Sequence, residues 1–241
     1  MQTLSDPQFT FVLIHSPLVG PLTWAPVAES LRRRGHPACI PALTSRLDGP
    51  RPYWQQHISQ VIDSLRDVPA RTPLVLVGHS GGGILLPLIR QQTQRPVSAY
   101  LFVDAGIPLD GQSRLDLFET PEAADEVRRS AVDGFLPVWS DGDLREVIPA
   151  DDLRRDFVRE LRPLPLDVYE EPIPVFAGWP DAPVRYLRFG DNPAYAADIA
   201  HAERAAWPVE RIEGAHFHML VDPEGVASKL VQLANIGSDL R

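Results

Sequence analysis

The chain has 241 residues, 44% of them hydrophobic, and its 23 basic and 32 acidic side chains give a net charge of −9. A chain of this length can bury a large core without disulfides, and we expect one large soluble domain. The single cysteine excludes a disulfide scaffold and a thiol redox pair. The acidic balance argues against a nucleic-acid partner. Because we find neither a membrane-spanning apolar run nor a secretion signal, we expect a cytoplasmic protein that makes no membrane contact.

Apolar runs typical of strands alternate along the chain with segments whose apolar residues recur at helical spacing. In chain order, strands are predicted at 9–15, 36–40, 74–77, 97–103, 184–189 and 209–212. Helices are predicted at 24–34, 53–68, 84–92, 194–206 and 223–233. This alternation predicts an α/β fold, in which helices flank a mostly parallel sheet.

One acidic stretch interrupts the alternation, with helical patches at 122–132 and 151–161 and no predicted strand. We therefore expect residues 1–106 and 173–241 to form the core and residues 107–172 to form an inserted helical cap. Such a cap would close over a site at the sheet edge. Candidate lining residues are Phe118, Phe135, Leu136, Trp139, Phe157 and Trp179.

A glycine-rich motif links the third predicted strand to the helix that follows it. The sequence Gly78-His79-Ser80-Gly81-Gly82 satisfies G-x-S-x-G, the pattern of a sharp turn that lifts a serine hydroxyl above the sheet. The N-terminal amides of the next helix, including Gly81 N–H, would face a developing oxyanion. A phosphate loop is disfavoured because no Lys-Ser/Thr pair follows the glycines. The motif predicts a nucleophilic Ser80.

A serine nucleophile needs a base within hydrogen-bond reach. The sequence Gly214-Ala215-His216-Phe217 follows the last predicted strand, which places His216 on a loop at the same sheet edge as Ser80. Serine before histidine is also the order that this type of fold uses. We therefore predict that His216 is the base.

Three other histidines occupy neighbouring motif positions, namely His15, His79 and His218. No metal-ligand spacing accompanies them, so positioning or packing is the expected role, and neither a metal nor an organic cofactor is implied. We include His79 and Trp24, on the first predicted helix, among the candidate substrate-binding residues.

The elbow at Ser80, the loop after the first strand at His15 and the loop carrying His216 follow the order found in α/β-hydrolase-fold proteins. The chain resembles this superfamily over essentially its full length. Residues 11–24 are also similar to the start of the plant methylesterase and hydroxynitrile lyase group. The resemblance implies a serine hydrolase that cleaves a small-molecule carboxylic ester or thioester through an acyl-enzyme.

The loop after the first strand departs from the superfamily pattern. Proline has no N–H, and Pro17 stands where a backbone N–H normally completes the oxyanion hole. We expect Gly81 N–H to act together with either Leu18 N–H or the Ser16 hydroxyl. The resemblance also implies a substrate contact for Ser16, because the lyases have a substrate-binding threonine there. The lyases carry a lysine where this chain has Phe217, which disfavours hydroxynitrile cleavage.

Two aspartates are candidates for the carboxylate that orients His216. The superfamily usually places this acid after the penultimate strand, where Asp191 directly follows Gly190 and Pro193 stands at the usual acid position. Asp104 ends the strand after the nucleophile helix, where some relatives, such as haloalkane dehalogenases, carry their acid. The shortened loop around Asp191 favours Asp104, and Asp191 remains the alternative.

Two other functions stay open beside the hydrolase. The amide missing at Pro17 is compatible with a lyase, acyltransferase or cyclase in small-molecule metabolism, because losing an oxyanion donor slows carbonyl hydrolysis. A ligand-binding relative without catalysis is the third hypothesis, since fold alone does not establish function. The sequence predicts neither the substrate's acyl length nor the oligomeric state.

Overall fold

The computed structural model describes residues 9–44, 47–118 and 120–235. Its strands are β1 Thr10–Ile14, β2 Ala38–Cys39, β3 Leu74–Ser80, β4 Val97–Ala105, β5 Phe135–Leu136, β6 Leu164–Pro165, β7 Val184–Phe189 and β8 Val209–Ile212. Six of them form a parallel sheet in the order β2-β1-β3-β4-β7-β8. Residues 1–8, on which the expected lack of a secretion signal rests, lie outside the described residues.

Helices follow most of the sheet strands. They are α1 Ala25–Arg33, α2 Trp54–Ser64, α3 Leu86–Gln92, α4 Pro121–Ser130, α5 Asp151–Glu160, α6 Asp167–Glu170, α7 Ala196–Arg204, α8 His218–Val221 and α9 Pro223–Asn235. Short 3-10 turns lie at Pro21–Thr23, Gly83–Leu85 and Pro193–Tyr195. The predicted α/β fold is therefore confirmed. None of the helices in the described ranges is long and apolar enough to span a membrane.

The sheet is covered on both faces, which explains why its central strands are continuously apolar. Successive side chains of a strand point to opposite faces, and in β1 Phe11 and Leu13 join one apolar cluster while Val12 and Ile14 join the other. The first cluster includes residues of α1 and α9, and the second includes residues of α2, α3 and α7. Because the strands are parallel, their carboxyl ends and the loops that follow them share one edge.

The segment between β4 and β7 contains α4, α5, α6 and a two-stranded antiparallel pair of β5 with β6. The expectation of no strand here was wrong, because two-residue strands are too short to give a periodic signal. In α5, Phe157 is fully buried and its ring lies 4.9 Å from that of Phe217. The division into core and cap stays a prediction.

Trp179 lies against the sheet instead of at the expected pocket. Its ring packs at 5.7 Å from Tyr100, 6.3 Å from Phe102 and 6.3 Å from Trp207. Trp179 precedes β7, so the chain places it near the amino ends of the strands, at the edge opposite Ser80.

A buried histidine in α2 predicts how stability depends on pH. His57 is fully buried, its Nε2 lies 3.1 Å from the Thr44 carbonyl oxygen, and burial lowers its pKa from 6.5 to about 4. The unfolded state therefore binds more protons between these values, so the free energy of unfolding falls as pH drops. At pH 5 the loss is about 2 kcal/mol for one such histidine. Burial lowers the pKa of His15 to about 4 as well.

We expect His57→Gln to weaken this pH dependence, because the amide can still donate to the Thr44 carbonyl but does not titrate. Between pH 7 and pH 5, the variant should lose about 2 kcal/mol less unfolding free energy than the wild type. Urea unfolding at both pH values measures this difference. If the free energy of unfolding fell by the same amount in both proteins between pH 7 and pH 5, His57 would not be the titrating group.

Candidate active site

Ser80 stands at the end of β3 on a turn that requires glycine at neighbouring positions. Its φ of +55° lies in the left-handed region, which is strained for a serine. A Cβ on Gly82 would lie 2.6 Å from the Ile14 carbonyl oxygen, and one on Gly78 would lie 2.7 Å from Gly83 Cα. Only hydrogen fits at these contacts. The turn lifts the side chain of Ser80 out of a strand whose other residues are buried.

His216 meets Asp104 at the same sheet edge. His216 Nδ1 lies 2.7 Å from Asp104 Oδ2, and Asp104 is fully buried with a φ of +43°. A carboxylate can only accept, so Nδ1 carries a proton, and in the neutral form of the imidazole Nε2 has a lone pair that can accept one. Asp104 Oδ1 also accepts a weak 3.4 Å hydrogen bond from Phe189 N–H.

Asn192 donates a further hydrogen bond to the Asp104 carboxylate. Its Nδ2 donates to Asp104 Oδ2 at 2.7 Å, and its Oδ1 accepts from Ala194 N–H at 3.2 Å. His216 Nδ1 and Asn192 Nδ2 both donate to the same carboxylate oxygen, which explains their 3.4 Å separation. Sequence reasoning missed Asn192, although it lies in the loop considered for the acid.

The alternative acid, Asp191, points away from this pair. Its side chain is 72% exposed and forms ion pairs with Arg188 and Arg211. The structure therefore brings Asp104 to His216 and leaves Asp191 at the surface.

His79 packs against His216, with 4.4 Å between their ring centres, and Trp24 packs against His79. His79 Nε2 is 2.9 Å from the His216 carbonyl oxygen, and burial lowers the pKa of His79 well below its usual value. The imidazole is thus neutral and donates from Nε2, which holds the His216 loop. The Trp24 ring contacts the His79 ring edge-to-face at 6.0 Å. Both side chains are fully buried, and their expected contact with substrate stays a prediction.

Ser16 and Gly81 lie next to each other on the side of Ser80 that faces β1. A Cβ on Gly81 would lie 3.0 Å from Ser16 Oγ, and Leu18 N–H donates to that oxygen at 3.4 Å. Of the two expected partners of Gly81, Leu18 N–H is thus directed at Ser16. The Ser16 hydroxyl can accept this bond and still donate its own hydrogen.

His15 holds the same loop in place. Its Nε2 accepts from Leu43 N–H at 3.3 Å, and its Nδ1 lies 2.8 Å from the Ser16 carbonyl oxygen. This arrangement needs the neutral imidazole that burial enforces by lowering the pKa of His15 to about 4. These contacts fit the expected positioning role of His15, which stays a prediction.

Tyr195 is a further site residue that no sequence motif marks. Its hydroxyl lies 2.9 Å from Ser80 Oγ, and its ring stacks on the His216 ring at 5.5 Å. Burial raises the pKa of Tyr195, so the phenol stays neutral and can donate. Among the described residues, no hydrogen bond joins Ser80 to His216. A rotation of the Ser80 side chain away from Tyr195 would be needed to form one, and such bonds often tighten only when substrate binds.

The described parts of the chain contain no cluster of three His, Cys, Asp or Glu side chains that could hold a metal ion. At this sheet edge the described residues bring together a hydroxyl, an imidazole and a buried carboxylate, with hydrogen-bond donors on both sides of the hydroxyl.

Comparison with curated proteins finds relatives named as esterases. The chain is 27% identical to a carbendazim hydrolyzing esterase of Nocardioides sp. (strain SG-4G), over 92% of this chain and 98% of that protein. It is 29% identical to the esterase PIR7B of Oryza sativa subsp. japonica, over 56% of this chain and 51% of that protein.

Solved structures share the fold at lower identity. An extracellular alpha/beta-hydrolase from a Paenibacillus species superposes with a TM-score of 0.76 at 22% identity, covering 93% of this chain and 98% of that chain. Tomato methylketone synthase I superposes with a TM-score of 0.73 at 18% identity, covering 96% of this chain and 99% of that chain. The model of the alpha/beta hydrolase family matches residues 11–229, which is most of the sequence. The chain belongs to the alpha/beta hydrolase family.

Proposed function

We propose that the protein is a serine hydrolase that cleaves a carboxylic ester of a small molecule through an acyl-enzyme on Ser80. The observation that carries this proposal is the His216–Asp104 pair, joined at 2.7 Å, at the sheet edge where the elbow presents Ser80. The relatives named as esterases support an oxygen ester over a thioester.

In the proposed reaction, His216 Nε2 takes the Ser80 proton as Oγ attacks the ester carbonyl carbon. Asp104 accepts from His216 Nδ1 and stabilises the imidazolium that forms. When the tetrahedral intermediate collapses, the C–O bond to the alcohol breaks and His216 gives the alcohol its proton. Water, deprotonated by the same imidazole, then attacks the acyl-enzyme and releases the acid and Ser80.

We assign the oxyanion hole to Gly81 N–H and the Ser16 hydroxyl. Leu18 N–H donates to Ser16 Oγ, which orients the hydroxyl and polarises its O–H bond toward the site. A side-chain donor would thus replace the backbone N–H that Pro17 lacks.

Removing the Ser16 hydroxyl is therefore expected to slow the chemical step. We expect Ser16→Ala to lower kcat by about 10²-fold with little change in KM, because the lost bond forms fully only in the transition state. Ser16→Thr keeps a hydroxyl and should retain more activity than Ser16→Ala. Steady-state kinetics on p-nitrophenyl acetate measure both variants. An unchanged kcat in Ser16→Ala would remove Ser16 from the oxyanion hole.

The partitioning of the acyl group between water and methanol tests whether different esters of one acid form the same acyl-enzyme. Several esters of one acid, with different alcohols, are hydrolysed in buffer that contains methanol, and the ratio of free acid to methyl ester is measured. One shared intermediate predicts the same ratio for every ester, because water and methanol compete for the same acyl group. A ratio that changes with the leaving alcohol would contradict the proposal.

A further inference from the structure

Arg114 is a buried cation beside the candidate site. The residue is 6% exposed and follows β4, and its guanidinium carbon lies 4.8 Å from the Phe118 ring centre and 5.7 Å from that of Tyr195. Within residues 9–44, 47–118 and 120–235, no carboxylate forms an ion pair with Arg114. Burying a charge without an opposite charge costs free energy, so a buried guanidinium of this kind indicates a functional role.

The guanidinium lies close to the nucleophile. Its carbon is 3.6 Å from the position that a Cβ on Gly106 would take, and Gly106 N–H donates to the Ser80 carbonyl oxygen at 3.3 Å. Tyr195 has its ring next to Arg114 and its hydroxyl on Ser80 Oγ. A single tyrosine ring therefore separates the positive charge from the nucleophile.

The sheet order places Arg114 across Ser80 from the proposed oxyanion hole. β3, which carries Ser80, lies between β1 and β4. Ser16 follows β1 on one side, whereas Arg114 follows β4 and Tyr195 follows β7 on the other. A substrate whose carbonyl oxygen contacts Ser16 and Gly81 would extend its remaining groups toward Tyr195 and Arg114.

Arg114 keeps its positive charge, and no carboxylate among the described residues forms an ion pair with it. Burial lowers the pKa of Arg114, but the neighbouring Tyr195, Tyr169 and Asp198 raise it above its usual value. Asp198 acts at a distance, and its Oδ1 is engaged by Ile107 N–H at 2.6 Å.

We propose that Arg114 and Tyr195 form an anion-binding subsite, and that the substrate is an ester carrying a second, negatively charged oxygen group such as a carboxylate. A guanidinium offers paired N–H donors to a carboxylate, and a neutral phenol adds a third hydrogen bond. If the Tyr195 hydroxyl turns to the substrate carboxylate, Ser80 is released to bond with His216. This inference rests on the proposed ester hydrolysis and adds the class of ester.

The test compares a half-ester with a neutral ester of similar length. In the wild type, monomethyl glutarate should have a higher kcat/KM than methyl butanoate, and Arg114→Gln should lower the half-ester value by about 10- to 100-fold. The neutral ester should change less than about threefold, and Arg129→Gln, at an exposed arginine of α4, should behave as wild type. In 4-acetoxybutanoate the carboxylate is on the alcohol part of the ester, whereas in monomethyl glutarate it is on the acyl part. The ester whose hydrolysis is slowed more by Arg114→Gln shows which part reaches Arg114. An unchanged half-ester preference in Arg114→Gln would overturn the proposal.

Binding without turnover separates this inference from the proposed function. Calorimetry should show that glutarate binds to Ser80→Ala and that its neutral diamide does not, with binding lost in the double variant Ser80→Ala/Arg114→Gln. In the wild type, glutarate but not the diamide should inhibit hydrolysis of p-nitrophenyl acetate, a readout that needs no substitution at Arg114. Equal behaviour of glutarate and the diamide would refute the subsite even if the protein hydrolyses esters. Absence of any ester turnover would refute the proposed function, while glutarate binding would still test the subsite.

Discussion

Ser80→Ala is expected to lower kcat for ester hydrolysis by about 10⁶-fold, to the residual rate that binding and the oxyanion hole supply without a nucleophile. The alanine cannot form the acyl-enzyme, and no other hydroxyl stands on the elbow. The backbone should tolerate the change, because alanine and serine have similar preferences at a positive φ.

The control for this variant is Ser59→Ala, in which an exposed serine of α2 loses a hydroxyl that donates to the Gln55 carbonyl oxygen of the same helix. Its kcat should equal that of the wild type. Thermal unfolding of both variants shows that each is folded under the assay conditions. If purified Ser80→Ala hydrolysed p-nitrophenyl acetate at a rate near that of the wild type, the nucleophile would have to be sought elsewhere.

Asp104→Asn is expected to lower kcat by about 10⁴-fold while the protein remains folded. The amide can present its NH₂ group to His216, which favours the tautomer with the proton on Nε2 and removes the lone pair needed to accept the Ser80 proton. It also removes the charge that stabilises the imidazolium, at a position that is fully buried in the wild type.

Asp191→Asn provides the matched comparison, because Asp191 was the other candidate acid. Its exposed carboxylate pairs with Arg188 and Arg211, and exposed ion pairs contribute little to stability. We expect kcat within about threefold of wild type for Asp191→Asn. A larger loss in Asp191→Asn than in Asp104→Asn would reverse the assignment of the acid.

The central strands β1, β3 and β4 could be predicted because they are largely buried and mostly apolar on both faces. The predicted bounds of β7 and β8 match the structure although both strands carry charged residues, because apolar residues stand at both ends of each strand. β3 extends to Ser80, three residues beyond its predicted end, because Gly78 and His79 continue the pairing with β4 although neither favours a strand. β5 and β6 were missed because their pairing depends on long-range contact.

The residues of the site were predictable to the extent that they lie in local motifs. Ser80 ends one strand and His216 lies in the loop after another, and both contexts are visible in the sequence. The partner of His216 is set by which loop folds over the sheet edge, so spacing alone left Asp104 and Asp191 both open. Tyr195 and Arg114 reach the edge from elements distant in sequence, and their residue types carry no motif.

Covalent labelling tests whether Ser80 is a nucleophile activated by His216. Wild-type protein is treated with a fluorophosphonate probe, and intact mass and peptide mapping locate the label, with Ser80→Ala treated in parallel. We expect one label on Ser80 in the wild type and none in the variant. A label on another residue, or no label on the folded wild type, would contradict it.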